Sequence, residues 1–314
     1  MRKKKFSHKK ICKTLWLIIF PFILSCSRNT QNDSLLIAVS IPPQAWFVSQ
    51  IAGGNAEHPA ETVILVPPGQ NPHNYEPAPR QIQSLSNADV WILSGAEFEI
   101  TLRPKIESLF PNLLIIDGTQ GVQFRLLEEH DHDEHDPNEN FSLPIPNSLL
   151  SAPYIDKHTW LGRFPAKILA GHIKDSLCVL DNENEKKYQS LYEKLVMEID
   201  NVFDELQITL APLNGKNVFV YHPSFGYFLD EFGIHQEAVE TGGKEPTPRQ
   251  LNNLLEKINH EKPSAIFVQA QFPVSAAKTL ADAAGAQVIE LDPLAEDWLE
   301  NIKFMGQILK NIIQ

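Results

Sequence analysis

Residues 217–228 read NVFVYHPSFGYF. Asn217–Tyr221 is a short run rich in β-branched and aromatic side chains, the composition of a buried strand. Pro223 must end it, because proline brings no N–H to a sheet ladder. His222 is thereby left at the carboxyl end of a strand, on the rim where open α/β sheets gather their ligands. Downstream, Ser264–Val268 (SAIFV) and Gln287–Leu291 (QVIEL) read as further strands. Helical patterns lie between them over about Thr247–His260 and Ser275–Ala284, with Pro248 suited to a first turn and Gly285 to an end. Short apolar runs alternating with helices define α/β layers.

The same alternation fills the front of the chain. Leu35–Ser40, Thr62–Val66, Val90–Leu93 and Leu113–Ile116 read as strands. A helix through Trp46–Ile51 stops at Gly53-Gly54, and another pattern covers Arg80–Ser86. Two lobes of similar layout are therefore expected. Between them, Leu169, Ile173, Leu177 and Leu180 form one apolar face of a helix over about Phe164–Leu180. Asp181-Asn182 breaks it, and helical spacing resumes from Tyr188 to Leu210, about 40 Å of helix, a whole domain's width.

The chain has 314 residues, 27 Lys+Arg against 39 Asp+Glu, and a net charge of −12. So acidic a balance excludes nucleic acid as a partner. Three cysteines are too few for a disulfide framework or a Cys-rich zinc fold. Seven of the basic residues stand in 1–25, which holds no acid, so the remainder is more acidic still. A basic start followed by the apolar run Leu15–Leu24 is the layout of an export signal, and the run is too short to span a bilayer. It ends in Ile23-Leu24-Ser25-Cys26, which resembles a bacterial lipobox, with Leu24 where a small residue is usual. This resemblance implies that Cys26 is acylated and becomes the mature N-terminus; the alternative is an ordinary cleaved signal. Cys178 is then the one free thiol, in an apolar helical pattern that fits an inert side chain rather than a nucleophile.

Histidines are the chemically distinctive residues. His73 lies in Asn71-Pro72-His73-Asn74-Tyr75-Glu76-Pro77, His158 in Asp156-Lys157-His158-Thr159-Trp160-Leu161, and Asp292 in Leu291-Asp292-Pro293-Leu294 at the end of the last strand. His130, His132 and His135 fall in the acidic run Glu128–Asp136, inside a Pro-, Asn- and Ser-rich stretch read as a mobile loop over 127–153. His172 on a helix and His235 in a turn have no partner motif. Three imidazoles and a carboxylate converging between two lobes would make a four-coordinate site of the kind zinc accepts. Spacing alone does not choose between that site and ordinary rim residues, and no HExxH pair is present.

The runs NPHNYEP, KHTWL, YHPSFGYF, EPTPRQL, FVQAQF and ELDPL, in this order, resemble the metal-binding receptors of zinc and manganese ABC transporters, in particular the zinc-uptake branch. The resemblance covers essentially the whole mature chain. It implies two α/β lobes joined by one long rigid helix, with a metal in the cleft between them. The expected divisions are a lipoprotein signal peptide at 1–25, a tether at 26–34, a first lobe at 35–162, a connecting helix at 163–181 and a second lobe at 182–314. Carried over residue by residue, the implied ligands are His73, His158, His222 and Asp292. Lys157 stands where the family has proline, Gly162-Arg163 where it has Asp-Pro, and Gln269 where glutamate is common.

Imidazoles suit zinc, whereas manganese favours carboxylate, carbonyl and water, so Zn2+ ranks first and Mn2+ second. The His130/His132/His135 loop fits an auxiliary metal-capture role, against a plain solvated acidic loop. The implied protein is no enzyme: it is a monomer held to the membrane by a lipid anchor, facing the periplasm or cell exterior. Its implied task is capturing zinc for an ABC permease and its ATPase. A zinc-dependent hydrolase and a metal-stabilised surface adhesin are the competing readings.

Overall fold

In the computed structural model the described residues are 34–53, 60–127, 155–240, 247–272 and 274–312. The expected signal peptide, Cys26, nearly all of the tether and the His130, His132 and His135 loop lie outside them. No helix among the described residues is long and apolar enough to cross a membrane.

The first lobe runs β1 (Leu35–Val39), α1 (Pro42–Ala52), β2 (Ala60–Ile64), α2 (Pro79–Leu85), β3 (Val90–Leu93), α3 (Glu97–Leu109) and β4 (Leu114–Asp117). Its strands are parallel in the order β2-β1-β3-β4. Later come α4 (Arg163–Leu180) and α5 (Glu185–Leu210), then β5 (Asn217–Val220), α6 (Gly226–Asp230), β6 (His235–Ala238), α7 (Pro248–Glu261), β7 (Ala265–Val268), α8 (Val274–Ala284), β8 (Gln287–Glu290) and α9 (Trp298–Ile312). The second sheet is also parallel, in the corresponding order β6-β5-β7-β8. Both chains of connections reverse direction at one point, between β1 and β3 in one sheet and between β5 and β7 in the other. Crevices for ligands open at such points, outside the carboxyl ends of the strands.

The strands at the sheet centres are apolar on both faces because helices cover both. Val90–Leu93 is buried throughout, as is Ala265–Val268. Two elements depart from the sequence pattern. β6 (HQEA) has buried polar residues, and its Gln236 side chain accepts from the Phe225 N–H at 2.8 Å. His235 is therefore the first residue of a strand rather than part of a turn. α3 carries Pro104 in its interior, which obscures its periodicity.

The connector also differs from expectation. α4, placed there from sequence, packs against α1, β4 and its neighbour α5. The longer α5 packs against α1 of the first lobe and α9 of the second, so it is the helix that spans both. Its buried stripe is Tyr188, Leu195, Ile199, Val202, Phe203, Leu206 and Leu210. Twenty-six residues make about 39 Å of rod. Trp298 of α9 closes the joint: it is wholly buried, with its ring centroid 4.9 Å from Phe47 of α1 and 6.5 Å from Phe203 of α5.

Candidate metal centre

Each histidine of the expected trio sits just beyond regular structure. His222 is the second residue beyond β5, held there because its N–H donates to Gln269 Oε1 at 3.2 Å and its carbonyl accepts from Gln269 Nε2 at 2.6 Å. Gln269 also donates to Ser224 Oγ, so this residue splints the HPS turn across the crevice between β5 and β7. His158 precedes a 3₁₀ turn, Thr159–Leu161, and its N–H donates to the carboxylate of Asp156 at 3.0 Å. His73 lies in a turn after β2, its N–H donating to Asn71 Oδ1 at 2.9 Å.

The three rings converge through their Nε2 atoms. His73 and His222 approach to 2.9 Å, and His158 stands 3.3 Å from each. Each Nδ1 faces a carboxylate at 2.8 Å: Glu97 for His73, Asp156 for His158 and Glu240 for His222. An ionised carboxylate only accepts hydrogen bonds, so each neutral ring carries its proton on Nδ1. Three bare nitrogen lone pairs then point at one spot. Tetrahedral zinc at 2.0–2.1 Å from imidazole nitrogen needs ligand atoms about 3.3–3.4 Å apart, nearly the spacing found.

Behind the rings the charges are partly balanced. Lys157, buried, places its ammonium 3.1 Å from the other oxygen of Glu97. Burial raises the Glu97 pKa, but the hydrogen bond from the proton-bearing edge of His73 and the Lys157 ammonium outweigh it and bring it to about 2. Thus Lys157 faces neither solvent nor the metal spot; it neutralises the carboxylate that orients His73. Asp156 meets Arg125 at 3.3 Å, and Arg125 also binds Asp230 at 2.8 Å. Gly226 makes this strap possible: a Cβ there would lie 2.5 Å from the Arg125 guanidinium. Tyr227 completes it, accepting from the Arg125 N–H and donating to the Asp156 carbonyl. Glu240 is buried, and its Oε1 has no hydrogen-bond partner among the described residues.

Burial pushes the His222 pKa down to about 4; the neighbouring His158 and His73 add to this and the Glu240 contact only partly offsets it. The linkage has a definite sign. Below about pH 6.5 an unfolded histidine takes a proton that the folded one refuses until about pH 4, so acidification across that window favours unfolding. The loss for His222 amounts to about 3 kcal/mol. Urea unfolding of the metal-free protein at pH 7, 5.5 and 4 should show midpoints falling steadily, with Glu97 adding to the loss below about pH 4.5. A midpoint unchanged from pH 7 to 4.5 would contradict the buried neutral ring.

Asp292 lies beside this group, not within it. His73, His158 and His222 are the three residues whose ligand atoms lie within 4.8 Å of one another. The Asp292 Oδ1 accepts from Gln271 Nε2 at 2.8 Å and from the Leu294 N–H at 2.9 Å. His172 instead bonds the Gln120 carbonyl, away from the centre, and Cys178 is half-buried on α4, its thiol pKa raised by burial. Glu97 and Glu240 carry no sequence signal, since neither belongs to the histidine runs; Asp156, two residues before His158, is the one partner its motif could have revealed.

Two parallel-sheet lobes on a spanning helix, with a histidine cluster at facing strand ends, define a metal-binding substrate-binding protein. The family model for ZnuA, the periplasmic component A of the zinc-uptake complex, matches residues 37–314, and the chain belongs to that family. It is 25% identical to the high-affinity zinc uptake system protein ZnuA of Yersinia pestis, covering 98% of this chain and 97% of that one. It is 24% identical to the zinc-binding lipoprotein AdcA of Streptococcus pneumoniae R6 over 97% of this chain, but spans 60% of AdcA's length. A crystal structure of ZnuA superposes with a TM-score of 0.76 at 30% identity, over 89% of this chain and 99% of that one.

Proposed function

We infer that this protein captures zinc outside the cytoplasm at His73, His158 and His222 and delivers it to an ABC permease driven by its ATPase. The convergence of three unprotonated nitrogens carries the reading. Such a cluster repels itself until a cation arrives, and neutral imidazoles select zinc over manganese because the site's carboxylates stand behind the rings rather than at the metal. Its work is binding and release, in keeping with a family of transport receptors. Cys26, acylated, would hold it to the membrane, and the His130, His132 and His135 run would serve as an auxiliary metal collector.

Zinc and manganese titrated against a competing chelator into the metal-stripped protein test this. One equivalent of zinc should bind tightly, manganese at least a hundredfold more weakly, and the stripped protein should keep its circular dichroism. A stripped protein that unfolds would point instead to a structural metal and an adhesive role.

A further inference from the structure

Resting on that zinc reading, we propose that Gln271 supplies the fourth ligand through its amide oxygen and that Asp292 is a positioning residue acting through it. Gln271 lines the same small cavity as His73, His158 and His222. Its amide orientation is dictated chemically: the atom facing the Asp292 carboxylate at 2.8 Å must be the NH2 group, since two acceptors would repel. Oε1 therefore occupies the other branch, where it is buried without a hydrogen-bond partner among the described residues. A buried acceptor left unpaired is costly and calls for a donor or a cation. The three histidines whose Nε2 atoms converge line the same cavity, and one divalent ion would satisfy them together with this oxygen.

Asp292 is engaged through one of its oxygens. Its Oδ1 already takes two hydrogen bonds, and the Leu294 N–H among them ties the carboxylate to its own turn. Charge favours the amide as well. Glu97 is offset by Lys157 and Asp156 by Arg125, so the neutral oxygen of Gln271 completes the shell without a further anion at the metal. A shell of three imidazoles and one amide holds zinc less firmly than one closed by a carboxylate, which suits a receptor that must release its cargo.

Cobalt(II) substituted into the full chain reads the shell directly, through its visible absorption and its response to azide, which enters only an open or water-filled position. The native protein should give a four-coordinate spectrum indifferent to azide. Gln271→Ala and Gln271→Leu should shift that spectrum, admit azide and weaken zinc tenfold or more while keeping one-to-one stoichiometry. Asp292→Ala, which leaves the Gln271 amide unheld, should move the spectrum part of the way toward theirs, and Asp292→Asn, whose oxygen still accepts from Gln271, should reverse most of that change. The proposal is overturned if azide already binds the native cobalt protein, if both Gln271 variants leave the spectrum unmoved, or if Asp292→Asn shifts the spectrum as they do. Failure of the zinc reading would look different: no stoichiometric cobalt or zinc in the native protein, or full binding in His222→Ala.

Discussion

Replacing His222 with alanine is expected to weaken zinc binding on the order of a thousandfold, about 4 kcal/mol. The ring is the most deeply buried of the three and stands nearest to His73 across the cleft. Its loss removes a ligand and leaves Glu240 buried with both oxygens lacking their described partners. Glu240→Gln separates those contributions. It keeps the ring but weakens the hold on its Nδ1 proton, and should cost roughly 10–100-fold, the usual effect of changing a residue behind a metal ligand. Chelator competition on both variants, with circular dichroism as a folding control, gives the comparison. Equal affinities for native protein and His222→Ala would remove the site from its assigned place.

Trp298→Ala should be the most damaging single change to the fold, with a loss of about 3–5 kcal/mol in denaturant unfolding. The ring fills the joint where α1, α5 and α9 meet, against Phe47, Trp46 and Phe203. Its Nε1–H donates to the Trp160 carbonyl at 2.7 Å, while the Trp160 Nε1–H donates to the Pro293 carbonyl at 2.8 Å. These two bonds in series fasten the turn bearing His158 both to α9 and to the turn bearing Asp292. Metal affinity should therefore fall together with stability. Trp298→Phe refills most of the volume without the N–H and should cost about 1–3 kcal/mol, chiefly the buried Trp160 carbonyl left unpaired. If Trp298→Ala unfolded within 1 kcal/mol of the native protein, the joint would not lie where the packing puts it.

Much of this architecture is legible in the sequence, for reasons that differ by element. Runs such as NVFVY and SAIFV announce strands because β-branched and aromatic side chains suit a sheet covered on both faces. β6 escapes that logic: its HQEA is stabilised by its neighbours, through bonds such as that from the Phe225 N–H to Gln236. α9 has a clear helical spacing in Trp298, Ile302, Met305 and Leu309, yet that stretch follows Asp292 without a strand to call attention to it. The choice of α4 over α5 as the connector fails because chain order does not reveal which neighbours a helix touches. At the site, the three histidines are visible in their motifs. Their carboxylate partners are not, since Glu97 and Glu240 arrive from distant elements and are brought to Nδ1 only by the packed lobes.

Leu126 and Ile155 form a single antiparallel bridge, reinforced where the Asp156 N–H meets the Arg125 carbonyl at 2.9 Å. Asp156 is thereby clamped twice by one residue, through the Arg125 carbonyl and through its guanidinium at 3.3 Å. Asp156 in turn takes the His158 N–H at 3.0 Å, so the register of that histidine is set by a segment distant in the chain rather than by its own turn alone.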